Sequence, residues 1–317
     1  KNTERNNTLL LVTKIYTQYS RYHLTLLHPS RVRSPLPPPS ELILKTRYQA
    51  EARLKSSPKI SRQALLIYLY LFTAGIFFSV PTTSQASNCS SQSFDERAVV
   101  THVYDGDTVK LANGDNIRLI GINTPEMNFD TGTPEPYAVK AKRFLEKRVL
   151  KNKVGIKYGS EKKDKYKRKL AHIFLLDGTN IQHEILKSGL AFSISIPPNL
   201  WQHNCYQNAE KYAQKKQSGV WKSPYFKPVN AKNINKNHLG FKIITGKIDS
   251  VKHTKKSIWL KFSEKMALRV DKKDLHYFKN TKLDDLKGKQ ITARGWVSLY
   301  KNKFSIRLKH PDAMSVK

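Results

Sequence analysis

At 317 residues the chain has room for two domains of ordinary size, and a composition of 39% hydrophobic and 10% aromatic residues excludes global disorder. Its formal charge of +33 points to a polyanionic partner, either nucleic acid or an anionic membrane surface. The excess is spread along the chain: residues 97–227 carry 23 Lys/Arg against 12 Asp/Glu (+11), and residues 231–317 carry 22 against 7 (+15).

Residues 1–52 show no hydrophobic periodicity, and Ser34–Ser40 (SPLPPPS) is a proline-rich break. No methionine precedes Met127, so this stretch is expected to be a disordered leader or sequence that is never translated. Arg53, Lys55, Lys59 and Arg62 then precede an uncharged apolar run from Ala64 to Val80, followed by Ser84 and Ala86 at small-residue cleavage positions. Residues 53–86 therefore read as a signal peptide, with an uncleaved anchor as the alternative, and the protein is expected to be periplasmic or secreted. The two cysteines, Cys89 and Cys205, exclude a disulfide scaffold or a cysteine-rich zinc site. Export would allow them to pair, but Cys89 falls in what reads as flexible leader, so the pairing stays open.

From Arg97 the pattern alternates and is cut by Asp-Gly and Asn-Gly-Asp turns, which predicts strand, turn, strand, turn, strand through Ile122. Tyr137–Asn152 places Ala138, Ala141, Leu145 and Val149 at helical spacing behind Pro136. Two more strands (KVGIKYG and LAHIFLLDG), a short helix ending near Gly189 and a longer one closed by Gly219 complete residues 97–227. The order is that of an OB-like five-stranded barrel with added helices, an α+β fold rich in strand. Residues 228–238 are polar and aperiodic and read as a linker. Residues 239–317 offer five strand-like runs with a short helical piece, KKDLHYF, between the third and fourth, predicting a second small OB-like domain.

One stretch carries chemistry: VYDGDTVKLANGDNIRLIGINTPE, Val103–Glu126. A reacting phosphodiester needs a hard cation, and a hard cation needs oxygen ligands such as Asp107 and the Asn123-Thr124 turn supply. Arg118 and Arg168 have the planar guanidinium suited to two phosphate oxygens at once, and Glu126 is placed to orient or deprotonate water. The bland alternatives are a hairpin turn for Asp105 and Asp107 and a solvated loop for the charge run Lys162–Lys169. His172, His183 and His203 have no ligand-like spacing among themselves and read as structural.

The three motifs DGDTVKL, IRLIGINTPE and DKYKRKLA, in this order and spacing, resemble the staphylococcal nuclease (thermonuclease) family over about 125 residues, Val100–Pro224. The resemblance implies an OB-fold, calcium-dependent endonuclease acting on DNA and RNA and leaving 3′-phosphates. It implies Asp107, Asn123 and the Thr124 carbonyl as Ca2+ ligands, with Asp105 supporting them. Arg118, Glu126 and Arg168 would be catalytic, and Lys165 and Tyr166 would contact substrate. Two positions depart from the family pattern. Asn123 stands where a carboxylate is usual, which removes a negative charge from the ion site. Lys167 stands where a glycine is usual between Tyr166 and Arg168, at a cost on the order of 1 kcal/mol if φ is positive there.

The expected partners are DNA and RNA, engaged by a monomer. Trp259, Trp296, Tyr300 and Phe304 are candidate stacking residues of the second domain, with Trp296 and Phe304 equally suited to its core. The rival readings are a non-catalytic nucleic-acid binder that keeps the fold, and a membrane-anchored protein using its basic faces on anionic lipid.

Overall fold

The computed structural model describes residues 89–128 and 132–316, which fall in one compact unit. The leader and the signal segment lie outside the described residues. Strands β1 (Glu96–Val103), β2 (Thr108–Leu111) and β3 (Asn116–Leu119) form the expected meander, followed by the two-residue strand β4 (Ile122–Asn123). Helix α1 (Ala138–Val149) buries the four residues its spacing singles out, Ala138, Ala141, Leu145 and Val149. Strands β5 (Lys153–Lys163) and β6 (Lys169–Phe174), helix α2 (Ile181–Lys187), strand β7 (Phe192–Ser193) and helix α3 (His203–Lys215) complete the first domain.

The sheet is a closed barrel in the order β1-β2-β3-β6-β5, with β3 and β6 parallel and the other pairs antiparallel. β1 closes it by pairing with β5 through Glu96–Val99 and with β2 through Val100–Val103, a bulge at Val100/His102 marking the handover. Inward-facing Val100, Val109, Ile117, Leu119, Ile156 and Ile173 fill the interior with Leu145 from α1. Each such side chain, fully buried, contributes about 1.5–3 kcal/mol.

Cys89 is buried rather than part of a flexible leader: it forms a disulfide with Cys205 at the start of α3, Cα atoms 5.8 Å apart. The bond ties the beginning of the barrel to α3 across 116 residues.

The second sheet is built from β8 (Val229–Asn230), β9 (Gly240–Lys247), β10 (Ser250–His253), β11 (Ser257–Lys261), β12 (Met266–Asp271), β13 (Gln290–Tyr300), β14 (Lys303–Leu308) and β15 (Met314–Val316). Its order is β10-β11-β12-β14-β13-β9-β8, with β15 paired to β13. β10 ends this order and β9, separated from it in sequence only by Ile248 and Asp249, stands next to the other end, so the sheet curls back on itself in the manner of an OB barrel. The expected helical piece, between β12 and β13, is a 3-10 helix, Lys272–Phe278.

The segment read as a linker, 228–238, is built into this second body. β8 pairs in parallel with β9, and Ala231 and Ile234 are buried in the second core. Its polar residues bond locally, with Asn230 and Asn235 capping short 3-10 turns, so the composition of a linker conceals two apolar anchors.

The two barrels share an interface. Phe192 and Val220 of the first cluster with Phe241 of the second. Arg294 of β13 donates to buried Glu210 of α3 at 2.7 Å, and Glu210 also accepts the Ser193 N–H at 2.7 Å. Burial pushes the Glu210 carboxyl up, and the Arg294 charge opposes that shift.

Candidate nuclease site

The site begins at the turn between β1 and β2. Asp105 Oδ1 accepts the Asp107 N–H at 2.9 Å, the local bond that lets an aspartate nucleate a tight turn. Only glycine fits between them: a Cβ on Gly106 would lie 2.6 Å from Ala141 Cβ of α1 and 2.7 Å from Thr124 Cγ2. The turn is thereby wedged between the helix and the Asn123-Thr124 segment.

Asp107 is the hub, 5% exposed. Its Oδ2 accepts the Thr124 N–H at 2.9 Å and the Thr124 hydroxyl at 3.0 Å; its Oδ1 accepts the Thr108 hydroxyl at 3.1 Å and faces Arg118 Nε at 3.0 Å. Register places Arg118 there, because β2 and β3 pair Thr108 directly with Arg118. Arg118 further donates to the Leu119 carbonyl at 2.6 Å and to Asn123 Oδ1 at 3.3 Å. Asn123, held by β4–β7 pairing with Phe192, donates from Nδ2 to the Thr124 carbonyl at 3.4 Å.

Arg168 comes from the β5–β6 turn, where Asp164 organises the loop. Asp164 Oδ1 accepts the N–H groups of Tyr166 and Arg168, and Oδ2 accepts Arg168 Nε at 2.8 Å and lies 2.7 Å from its Nη2. Arg168 Nη1 reaches the Thr108 hydroxyl at 3.5 Å, so both arginines border the Asp107–Thr108 pair. These contacts engage three of the five N–H donors on each guanidinium, which leaves donors for a phosphate. Tyr166 is 66% exposed, with Lys165 Nζ 4.7 Å and Arg168 Cζ 5.4 Å from its ring centre.

Glu126 sits exposed at the edge of the cluster with its main chain fixed by Glu135. The Glu126 N–H donates to Glu135 Oε2 at 2.9 Å and the Glu126 carbonyl accepts the Glu135 N–H at 2.9 Å. Glu135 in turn accepts the Tyr225 hydroxyl at 3.0 Å and lies 3.7 Å from Lys242 Nζ on β9. The second barrel thus touches the residue that holds Glu126.

The field at the centre is negative despite the basic chain. Burial first, and the Asp107 charge second, push the Asp105 carboxyl up to about 7. Desolvation and the Asp107 charge likewise raise Glu126, against the pull of Arg118 and Arg168. Three carboxylates share the region with Arg118, while Arg168 is already paired with Asp164. Uncompensated carboxylates beside a carboxamide and a main-chain carbonyl are a hard-cation donor set, so the residues present fit a calcium ion. The four donors already on the Asp107 oxygens mean that an ion would displace at least one of them.

Sequence reasoning brought Asp105, Asp107, Arg118, Asn123, Thr124 and Glu126 together, and the structure places all six in contact or one residue apart. Lys165 and Tyr166 stand outside this cluster, on the Arg168 loop. Four supporting residues were missed. Asp164 had a signal, its i,i+4 spacing to Arg168; Glu135, Tyr225 and Lys242 had none, being joined only in three dimensions. His172 is structural as expected: its Nδ1 lies 2.6 Å from the buried Tyr206 hydroxyl, and burial lowers its pKa to about 3.

A closed barrel of this order, bearing a buried acid against one arginine with a second beside it, defines an OB-type domain with a phosphate-directed site. Residues 116–223 match the family described as "Staphylococcal nuclease homologue". The chain is 36% identical to the thermonuclease of Staphylococcus intermedius over 129 residues, 40% of this chain and 76% of that protein. It is 29% identical to the thermonuclease of Staphylococcus hyicus over 167 residues, 51% of this chain and 98% of that protein. Endonuclease YncB of Bacillus subtilis (strain 168) is 31% identical over 127 residues, 38% of this chain and 60% of that protein. The chain belongs to the staphylococcal nuclease family.

Proposed function

We propose that this protein is a calcium-dependent endonuclease hydrolysing DNA and RNA phosphodiesters and leaving 3′-phosphates. That it is a hydrolase of the endonuclease type acting on nucleic acid follows from its family; the metal, the breadth of substrate and the product are our reading. The observation that carries it is the Asp107–Arg118–Glu126 cluster, a negative centre in a chain of +33.

In this reading Asp107, the Asn123 carboxamide and the Thr124 carbonyl hold the ion, with Asp105 tightening the turn that aims Asp107. Bound calcium supplies charge neutralisation at the scissile phosphate and a more acidic water. Arg118, clamped by Asp107 and the Leu119 carbonyl, directs its remaining N–H donors at the oxygens that gain charge in the transition state. Arg168, braced by Asp164, does so from the β5–β6 turn. Glu126, whose raised pKa makes it a better proton acceptor than an ordinary carboxylate, orients and deprotonates the attacking water. Lys165 and Tyr166 contact the flanking phosphate and nucleotide.

The second barrel grips the polymer. Register aligns Lys252, Trp259, Arg269 and Arg307 in one cross-strand row over β10, β11, β12 and β14, with Arg269 Cζ 5.8 Å from the Trp259 ring centre. Basic and aromatic groups on this part of an OB barrel suit a single strand. Tyr300 is 73% exposed and Trp296 is 44% exposed, available for stacking, whereas Phe304 is core. Export fits the Cys89–Cys205 disulfide, which an oxidising compartment preserves. The reading takes the protein as a monomer.

The test is digestion of DNA and of RNA by the full chain with calcium or with chelator, followed by end-group analysis. Calcium-dependent cleavage that is lost in Glu126→Ala supports the reading; tight binding without cleavage at saturating calcium leaves only the rival, a nucleic-acid binder. Asn123→Asp is expected to tighten calcium binding, and an unchanged affinity would remove Asn123 from the ligand set.

A further inference from the structure

Away from the Asp107 cluster, a second constellation lies where the barrels meet. Asp312, in the short 3-10 turn before β15, presents Oδ2 to three groups at once. The Ser195 hydroxyl lies 2.6 Å away, His203 Nδ1 2.9 Å and His310 Nδ1 3.1 Å. Ser195 and His203 belong to the first barrel, His310 and Asp312 to the end of the second. His203 was read from sequence as structural, because its partners lie 107 and 109 residues further on.

The hydrogen bonding here is over-subscribed. One carboxylate oxygen has two lone pairs, yet three potential donors converge on it. His310 Nδ1 is asked for two incompatible things. It accepts the Asp312 N–H at 3.3 Å, which requires a lone pair, and it faces Asp312 Oδ2 at 3.1 Å, which requires a proton. An imidazole nitrogen has one or the other. A cation among these atoms would take the lone pairs of both imidazoles and of the carboxylate, at the cost of releasing the Asp312 N–H from His310 Nδ1.

The donors decide which cation. Two imidazole nitrogens and a carboxylate oxygen, all within 4.8 Å of one another, form the set chosen by Zn2+ and its neighbours, whereas calcium and magnesium take oxygen alone. A tetrahedral ion with bonds of about 2.0–2.1 Å sets its ligands roughly 3.3 Å apart, close to the spacings at Asp312. Ser195 or a water completes the four.

We propose that His203, His310 and Asp312 form a site for a zinc-class divalent cation, distinct from the nuclease centre, that staples the C-terminal end of the second barrel to the first.

The experiment uses the full chain, stripped with chelator and then held in excess calcium so that the oxygen site is satisfied. Co2+ is titrated in while its visible d–d bands are followed, then Zn2+ is added. The expected result is one equivalent of tetrahedral Co2+, displaced by Zn2+, with a higher unfolding temperature in Zn2+ than in chelator. His203→Gln and Asp312→Asn are each expected to weaken binding by about tenfold or more. X-ray absorption at the zinc edge, which needs no variant, should count two imidazoles in the wild-type shell. Absence of a tetrahedral Co2+ band, a shell without two imidazoles, or affinity unchanged in folded variants would each overturn the proposal.

Discussion

The two barrels have the same wiring and opposite interiors. In each, the order of hydrogen-bonded strands is first, second, third, fifth, fourth, back to the first; the third and fifth run parallel, and a bent first strand closes the circuit. Of the buried polar residues among those described, the second barrel holds Ser257 alone, while the first domain holds Asp107, Thr108, Asn123, Thr124, His172, Asn180, Gln182, Ser193, Ser195 and Glu210. Charge is handled differently as well. In the second barrel Asp271 and Asp274 meet Arg269 and Arg307, two acids with two arginines. In the first, Asp105, Asp107 and Glu126 crowd around Arg118. One strand order thus supports either a balanced surface or an unbalanced, partly buried one, and the unbalanced one carries a donor set that fits a cation. Function here resides in the loops and in what they bury rather than in the barrel itself.

The disulfide belongs to the first domain alone, and it is where the comparison breaks most sharply. Closing a loop of about 100 residues removes roughly 4–5 kcal/mol of denatured-state freedom in the chain-entropy account. Cys205→Ser is therefore expected to lower unfolding free energy by that order, read in urea denaturation. Amide exchange should rise in the first core (Ile156, Ile173) well before the second (Leu260, Ile306). Equal loosening of both barrels would mean that the interface, and not the disulfide, holds the first one together.

Catalysis should split the barrels next. Arg118→Ala is expected to cut kcat by about 10²–10³, the loss typical of one transition-state donor. The paired change Trp296→Ala and Tyr300→Ala should instead raise KM by several-fold with kcat nearly unchanged. A large kcat loss from the second pair would show that the second barrel shapes the reacting centre, for which Glu135 offers a route. Its carboxylate joins the Glu126 main chain to Tyr225 and Lys242.

That route marks the limit of what the residues declare in sequence. Hairpins were legible because Asp-Gly and Asn-Gly turns and period-two alternation are local, and α1 because its four buried positions repeat at helical spacing. The acid–arginine cluster was legible because its segments are consecutive: the β2–β3 register sets Thr108 beside Arg118, and Thr124, just past β4, donates back to Asp107. Glu135 and Tyr225 are 90 residues apart and carry no pattern that pairs them. The pairing of the cysteines stayed open because nothing before folding says that their Cα atoms end 5.8 Å apart. Residues 228–238 were misread because two anchors, Ala231 and Ile234, are outvoted by polar neighbours in any compositional window.

Acid should also find the first barrel before the second. His172 is buried against Tyr206, and that burial lowers its pKa from the ordinary 6.5 to about 3. Between those values the unfolded chain binds a proton that the folded one refuses. Stability is therefore full above about 6.5 and falls as pH drops, by up to about 1.4 kcal/mol per pH unit. His172→Gln should flatten that slope in chemical denaturation from pH 6.5 to 4, even if it lowers stability at neutrality. An identical slope in the variant would assign acid lability to carboxylates instead.

The smallest effect concerns the second departure from the family pattern. Lys167 has φ of 65°, inside the left-handed region, and its N–H bonds the Asp164 carbonyl at 3.0 Å. A residue with a Cβ pays about 1–2 kcal/mol there, while glycine costs roughly 0.5–1 kcal/mol more in lost chain entropy on folding. The difference predicts that Lys167→Gly stabilises the protein by about 0.5–1 kcal/mol, seen as a shift of the denaturant midpoint at constant slope. Asp164 already fixes Arg168 through its backbone N–H and its guanidinium, so kcat should stay within about twofold, well inside the loss expected from removing a transition-state donor. A midpoint that moves the other way would show that the lysine's own contacts outweigh its backbone strain. A midpoint that rises together with a large gain in kcat would show that the strained turn had been holding Arg168 away from its working position.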